Sequence, residues 1–146
     1  MYAPHVVTVI NATEENDTMQ YRATVLHGVM LQAAKRANAD KSGVVDADTV
    51  KLFIPFDVRA ASVSGAVKRF ASPKVYEAAE DKESLWTLQS AGKSSVSACF
   101  FVRGILSSGM SYTEALKSYD DVFRVSAVKT CDYGSSSMQH WEVGGI

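Results

Sequence analysis

The sequence has few residues of the kinds that carry metal or covalent chemistry. It contains two cysteines, Cys99 and Cys131, and no Cys-x-x-Cys pair. Its three histidines, His5, His27 and His140, are far apart, and none has a partner at a spacing typical of metal ligands. These absences predict two free thiols, one of them buried in the strand around Cys99, and neither a disulfide nor a metal site. We interpret His140 as a cross-strand packing residue.

Motifs for nucleotide binding and covalent catalysis are also absent. The glycines form neither Gly-x-Gly-x-x-Gly nor a P-loop, and there is no Gly-x-Ser-x-Gly. Four acidic pairs, at positions 14/15, 46/48, 80/81 and 120/121, fall at predicted turns and helix ends, where solvated carboxylates are ordinary. We therefore expect a non-enzymatic protein with no catalytic residues and no cofactor.

The chain has no excess of charge and no long apolar run. Fifteen basic and sixteen acidic residues give a net charge of −1, which implies no general attraction to nucleic acid or to an anionic membrane. Apolar runs extend over only a few residues, too short to span a bilayer, and the first residues lack the pattern of a secretory signal. The length predicts a single soluble domain, residues 1–146, made in the cytosol, with no membrane partner.

Clusters of β-branched and aromatic residues predict seven or eight short strands. Residues 29–37 suit either a strand or a helix, and we favour a strand because the neighbouring strands would otherwise lack a partner. Gly28 is expected to mark a kink or bulge, and Pro55 to end its strand or place it at an edge. The other predicted strands are 6–10, 21–26, 49–56, 85–88, 95–102, 122–129 and 138–143.

Turn and helix signals divide these strands. Ser72 followed by Pro73 predicts the start of a short helix that reaches residue 80, and residues 112–119 predict a second. The polar residues 11–18 are expected to form a loop. Residues 57–71, dominated by small side chains, are expected to form an exposed, flexible loop. With no β–α alternation, these elements predict an all-β fold, a small barrel or sandwich.

The last quarter of the chain predicts a β-hairpin with a loop rich in Asp, Gly and Ser. Strict alternation would place Val122 and Val128 on one face of the first strand. In the second strand it would place Trp141 and Val143 opposite His140. Nothing in this hairpin is catalytic by its residue types.

Four stretches together carry a resemblance that runs from about residue 6 to residue 145. They are Lys41-Ser42-Gly43 leading to Asp46-Ala47-Asp48, the segment 50–57 ending in Ile-Pro-Phe-Asp, Trp86-Thr87-Leu88-Gln89, and Asp132-Tyr133-Gly134 with Met138-Gln139-His140-Trp141-Glu142-Val143-Gly144-Gly145. The sequence resembles an uncharacterised family of small proteins encoded among the virion structural genes of tailed bacteriophages and prophages of Gram-positive bacteria. The family has no assigned catalytic residues.

The resemblance implies a structural role in the virion. The plan of short strands ending in a hairpin is similar to head–tail connectors of the stopper type, small β-barrels that form rings beneath the portal. We therefore expect a homo-oligomeric ring in the virion neck that contacts portal, adaptor or tail proteins and is made in the bacterial host cytoplasm. Nucleic acid would at most pass through its lumen. Such a ring needs apolar or aromatic surface on two opposite sides of each protomer, and the 57–70 segment would face the lumen or a neighbouring ring.

Two alternatives remain open. One is another virion component: a tail terminator, a tail-associated protein or a minor capsid protein. The other is a small ligand-binding barrel or enzyme, which a deep pocket converging on His140, Asp132 or Cys131 would favour.

Overall fold

A computed structural model of the protein describes residues 3–33, 50–90 and 99–146. These ranges contain nine strands, two α-helices and a 3-10 helix at Ser136–Met138. The predicted turn at 41–48 and parts of three predicted strands, 34–37, residue 49 and 95–98, lie outside them. The strands are β1 (His5–Glu15), β2 (Thr18–Ala33), β3 (Val50–Pro55), β4 (Arg59–Ala61), β5 (Arg69–Phe70), β6 (Leu85–Trp86), β7 (Cys99–Arg103), β8 (Val122–Cys131) and β9 (His140–Gly145); the helices are α1 (Pro73–Ala78) and α2 (Tyr112–Ser118).

Six strands close into an antiparallel barrel. Around the barrel the order is β1-β7-β8-β9-β3-β2, and β2 pairs back onto β1. β4 pairs antiparallel with β2 at residues 25–27, a stretch of β2 that does not pair with β3. β5 and β6 form a separate parallel pair. The prediction of an all-β fold, with a barrel as one of its two forms, is confirmed.

β1 and β2 form a long hairpin with a tight turn, so the predicted loop at 11–18 is wrong. β1 continues to Glu15, and the turn consists of Asn16 and Asp17, both with positive φ (53° and 62°). Two such residues make a turn whose twist matches that of the strands, and Asn and Asp tolerate this conformation. The polar run misled the prediction because Asn11 and Ala12 are both buried by distant parts of the chain.

Gly28 forms the predicted bulge. Val6 pairs with His27 and His5 pairs with Val29, so the register passes over Gly28, whose φ is +88°. An L-residue rarely adopts this φ, which explains the glycine. Beyond the bulge β2 pairs with β3 from Met30 onward. The bulge therefore lies where β2 changes partner, and residues 29–33 are strand, as favoured.

The segment 57–71 is not one exposed loop, which corrects the prediction. It contains β4 and β5, and it buries Ala60, Lys68 and Ala71. The Lys68 ammonium donates hydrogen bonds to the backbone oxygen of Ala23 and to the hydroxyl of Thr24, each at 3.1 Å. These buried acceptors hold the Lys68 side chain inside the protein. The flexibility of the segment stays a prediction.

Two apolar clusters lie on opposite sides of β7. Cys99 and Phe101 point into the barrel, while Phe100 and Val102 pack outside it, beneath α2. Both faces of β7 are therefore buried, which explains its continuous apolar sequence. The barrel cluster includes Val7, Val9, Leu26, Leu52, Ile54 and Val143; the outer cluster includes Ile10, Leu106, Ala115 and Val122.

The segment that begins with β6 packs into the barrel core. Trp86 and Leu88 join the barrel cluster. Between them, Thr87 is fixed by the buried side chain of Asn11, whose Nδ2 donates to the Thr87 oxygen at 2.9 Å and whose Oδ1 accepts from the Thr87 nitrogen at 3.2 Å. The Asn11 side chain thus takes the place of a neighbouring strand for this segment.

The predicted terminal hairpin is confirmed, except for the prediction of which residues in its first strand share a face. β8 and β9 pair antiparallel, and Trp141 and Val143 are buried while His140 is half-buried. The register shifts between Val125 and Ala127, however, and this bulge reverses the alternation. Val122 therefore packs outside the barrel, and Val128 packs against the interior.

The two predicted helices are present, each one or two residues shorter than predicted. α1 follows Ser72 and begins at Pro73, and it ends at Ala78. α2 is capped by Ser111, whose hydroxyl accepts from the Glu114 nitrogen at 3.2 Å.

Candidate functional site

A cleft of about 710 Å³ opens beside the terminal hairpin. Its aromatic floor is formed by Trp141, with Phe70 at 4.3 Å and Phe56 at 4.5 Å between ring centroids. Trp86 lies behind this floor, 5.7 Å from Trp141. The lining residues are Phe56, Phe70, Ser72, Pro73, Glu77, Leu88, Gln89, Ser90, Val128, Thr130, Asp132 and Trp141.

The polar groups of the cleft are mainly acceptors. Glu77 and Asp132 contribute carboxylates, and none of the lining residues that the structure describes is basic. Gln89 is only 8% exposed; its Nε2 donates to Glu77 at 3.5 Å, and its Oε1 is buried with no hydrogen-bond partner in the described part of the chain. A buried acceptor without a partner costs free energy, and a bound donor would remove that cost. Acceptors above aromatic faces suit a ligand that is cationic and rich in N–H groups.

Of the three residues at which a deep pocket would favour a ligand-binding barrel or enzyme, the cleft includes only Asp132. Thr130 and Trp141 face the cleft, so their neighbours Cys131 and His140 point to the other face of the hairpin. The cleft therefore does not converge on Cys131 or His140.

On that other face Cys131 and His140 meet Glu142. Their potential ligand atoms all lie within 4.8 Å of one another, with Cys131 buried and the other two half-buried. The His140 ring packs 5.9 Å from Phe53 of β3, which fits the predicted cross-strand packing role. Glu142 also accepts an ion pair from Lys51 at 3.2 Å. We call these three residues the hairpin triad.

Two buried titratable groups belong to the core and not to the cleft. Burial raises the pKa of the Cys99 thiol to about 11, and both cysteines are free, as predicted. Burial also lowers the pKa of Lys68, an effect that Glu83 opposes and Arg22 reinforces. No local sequence signal marks Lys68 as buried, because its acceptors come from residues more than 40 positions away.

Among the residues that the structure describes, five exposed apolar side chains fall into two groups that we call patches. The first, the β4 patch, consists of Val63, Val67 and Ile105, which line one shallow pocket and are 42%, 80% and 61% exposed. The second, the loop patch, consists of Tyr133 and Met138 in the β8–β9 connection, 69% and 65% exposed.

The two patches lie near opposite ends of β8. Ile105 follows β7, whose Arg103 nitrogen bonds to the Asp121 oxygen just before β8 begins. The loop patch lies beyond the far end of β8. Ten residues of strand separate these ends, about 30 Å.

These features define a class: a small, closed, antiparallel β-barrel with a lateral acidic and aromatic cleft and two unlike apolar patches. The chain belongs to the Family of unknown function (DUF6751), whose profile matches residues 3–146. Searches of curated proteins and of solved structures found no match. Among the described residues, no helix has the length and hydropathy needed to cross a membrane.

Proposed function

We propose that this protein is a non-enzymatic structural subunit of a tailed phage or prophage virion, a head–tail connector of the stopper type that assembles into a ring. The resemblance of its sequence to phage structural proteins motivates the proposal. The observation that carries it is the pair of unlike apolar patches near opposite ends of β8.

A ring requires two different surfaces on each protomer. In a head-to-tail interface one surface of a subunit meets another surface of the next, whereas a two-fold dimer needs a single self-complementary surface. The β4 patch and the loop patch differ in their residues, which suits the first arrangement. The six barrel strands pair with one another around a closed circle, so side-chain contacts and not strand addition would hold such a ring together.

The proposal also names partners. The ring would lie in the virion neck against portal, adaptor or tail proteins, after assembly in the host cytoplasm, and nucleic acid would at most pass through its lumen. A tail terminator, tail-associated or minor capsid role would use the same surfaces with another partner. Co-purification with portal protein and not with tail-tube protein separates the connector from these alternatives.

Light scattering over concentrations up to about millimolar tests the ring. We expect a discrete multimer for the wild type and monomers for Val67→Asp and for Tyr133→Asp. An equimolar mixture of the two variants should form dimers, because each variant keeps one intact surface. Leu116→Asp, at a 49% exposed position on α2 outside both patches, is the matched control and should leave the multimer intact.

If the wild type stays monomeric alone, the wild type and the same variants are tested in mixtures with portal protein. If neither wild-type multimers nor portal-bound rings form, the connector proposal is wrong. It is also wrong if the mixed variants assemble no further than each alone.

The cleft favours a second candidate, a ligand-binding barrel. Its specific support is the buried Gln89 oxygen beside two carboxylates and an aromatic floor. Benzamidine, an aromatic cation rich in N–H groups, is a suitable probe, and benzoate is its matched anionic control. We expect benzamidine alone to change Trp141 fluorescence, and Glu77→Gln to weaken that response. Equal responses to both compounds would contradict a cation site.

A further inference from the structure

We propose that the hairpin triad, Cys131, His140 and Glu142, binds a divalent transition-metal ion of the zinc type on the outer face of β8 and β9. This site goes beyond the structural role proposed above and does not depend on it. It uses residues that neither the cleft nor the two apolar patches include.

The hairpin register places the three side chains together. Cys131 and His140 are directly opposite each other across β8 and β9, and Glu142 follows His140 by two residues on the same face. Their potential ligand atoms lie within 4.8 Å of one another. Tetrahedral zinc, with bonds of about 2.0–2.3 Å, holds its ligand atoms roughly 3.3–3.8 Å apart. Side-chain rotations that bring the ligand atoms about 1 Å closer together therefore complete the site.

The hydrogen bond of His140 prepares its ring for a metal. Nδ1 lies 2.8 Å from the backbone oxygen of Met138. A carbonyl oxygen only accepts, so Nδ1 carries the proton, and the lone pair of the neutral ring is on Nε2. Metal-binding histidines commonly make this kind of second hydrogen bond, which fixes the tautomer and the ring orientation.

The mixture of ligand types selects the ion. A thiolate, an imidazole and a carboxylate together suit zinc and not magnesium or calcium, which prefer oxygen ligands alone. The two anionic ligands balance the charge of the ion. Three protein ligands leave a fourth position for water or for a group from another molecule.

Lys51 is the main competitor of the ion. Its ammonium lies 3.2 Å from Glu142 Oε1, and its side chain is half-exposed, so it can turn into solvent when an ion binds. The second carboxylate oxygen of Glu142 also remains as a ligand. Because the Cys131 thiol must lose a proton to bind, affinity should increase with pH.

Cobalt(II) titration of the full-length, reduced protein tests the site. We expect one equivalent of cobalt to produce a thiolate-to-cobalt charge-transfer band and the visible bands of tetrahedral cobalt, and zinc to displace them. Cys131→Ser should abolish the charge-transfer band. His140→Gln and Glu142→Gln should each weaken binding by at least the roughly 10–100-fold that loss of an outer-shell partner costs.

Two control variants change residues of the same type outside the triad. Cys99→Ala and His27→Gln should keep the spectrum and the affinity of the wild type. Circular dichroism shows which variants are folded, and the exposed position of Lys51 offers a further variant: Lys51→Gln should tighten binding.

A second readout is thermal. Zinc at about 100 times the wild-type Kd should raise the Tm of the wild type by roughly 5–10 °C and that of His140→Gln by about half as much or less. The proposal is overturned if the wild type gives no charge-transfer band at one equivalent of cobalt. It is equally overturned if folded Cys131→Ser keeps the band, or if zinc raises the Tm of wild type and His140→Gln alike.

Discussion

At the scale of single residues, the buried side chain of Asn11 joins two distant segments of the chain. It supplies both a donor and an acceptor to the backbone of Thr87, 76 positions away. A side chain that replaces a strand in this way fixes the position of the segment that carries Trp86 and Leu88 in the core.

Asn11→Ala should therefore destabilise the protein. Two buried backbone groups of Thr87 lose their partners, and we expect the free energy of unfolding to fall by about 2–4 kcal/mol. Urea denaturation measures this change. Asn16→Gly is the matched control. It replaces an asparagine with positive φ at an exposed turn, and glycine adopts this φ without steric strain. This variant should change the free energy of unfolding by less than about 0.5 kcal/mol. Equal effects of the two variants would contradict the role of Asn11.

Cys99 makes the stability of the protein depend on alkaline pH. Burial raises the pKa of its thiol from 9.0 to about 11. Above pH 9 the thiol of the unfolded chain ionises while that of the folded chain stays protonated. The unfolded state is therefore stabilised relative to the folded state. This destabilisation of the folded state by Cys99 is absent below pH 9 and complete above about pH 11.

We therefore expect the free energy of unfolding to fall by about 2–3 kcal/mol more in the wild type than in Cys99→Ala between pH 9 and 11. The difference between the two proteins isolates the contribution of this thiol from those of all other titrating groups. Parallel pH curves for the two proteins would show that the thiol ionises equally in both states. Alkylation of Cys99 should likewise need unfolding.

At the scale of elements, two glycines are required for different physical reasons. Gly28 has a φ of +88°, and an added Cβ would come no closer than 4.0 Å to another atom, so backbone strain is the obstacle. At Gly145 an added Cβ would lie 2.8 Å from Val50 Cγ2 and 2.9 Å from Phe101 Cζ, so close packing of β9 is the obstacle.

A double-mutant cycle distinguishes these causes. Gly28→Ala and Gly145→Ala should each cost about 1–3 kcal/mol. Adding Val50→Ala makes room at Gly145 only. We expect a favourable coupling of at least about 0.5 kcal/mol between Val50→Ala and Gly145→Ala, and simple additivity between Val50→Ala and Gly28→Ala. Additivity in both cycles would contradict the packing explanation.

The elements that the sequence predicted are those whose signals are local. The Ser72-Pro73 helix start, the Gly28 bulge and the alternation in β9 each depend on neighbouring residues. β1 beyond residue 10 and the buried Lys68 depend instead on distant partners: Thr87 for Asn11, and Ala23 and Thr24 for Lys68. Local polarity therefore predicted loops where tertiary contacts make strand and core.

The same limit explains the candidate sites. The cleft combines residues from Phe56 to Trp141, which only the closed barrel brings together. The hairpin triad was closer to prediction, because the hairpin itself was expected. The first strand of the hairpin was predicted to end at residue 129, however. β8 continues to Cys131, and this continuation places Cys131 opposite His140.

At the scale of the whole molecule, the aromatic cluster joins the barrel core to the cleft. Trp86 and Trp141 both pack against Phe70, at 5.1 and 4.3 Å between ring centroids. Both tryptophans therefore report on one packed body.

We expect one cooperative unfolding transition. Tryptophan fluorescence and far-ultraviolet circular dichroism should give the same midpoint in urea, since loss of the barrel removes the packing around both indoles. Phe70→Leu serves as a control that perturbs the cluster: it should shift both midpoints together. A fluorescence transition that precedes the loss of strand signal would show that the cluster is a separate unit.

The position of β9 in the barrel has a consequence for synthesis. β9 is the last barrel strand to leave the ribosome, yet it lies between β3 and β8. Until it emerges, the nascent chain has two unpaired strand edges, which are sites for misassociation. Closure then joins segments separated by almost 100 positions, Val50–Pro55 and His140–Gly145, a non-local step that makes barrels slow folders. The barrel therefore completes its fold after translation of residue 145, and nascent chains crowded on one message are its most aggregation-prone form.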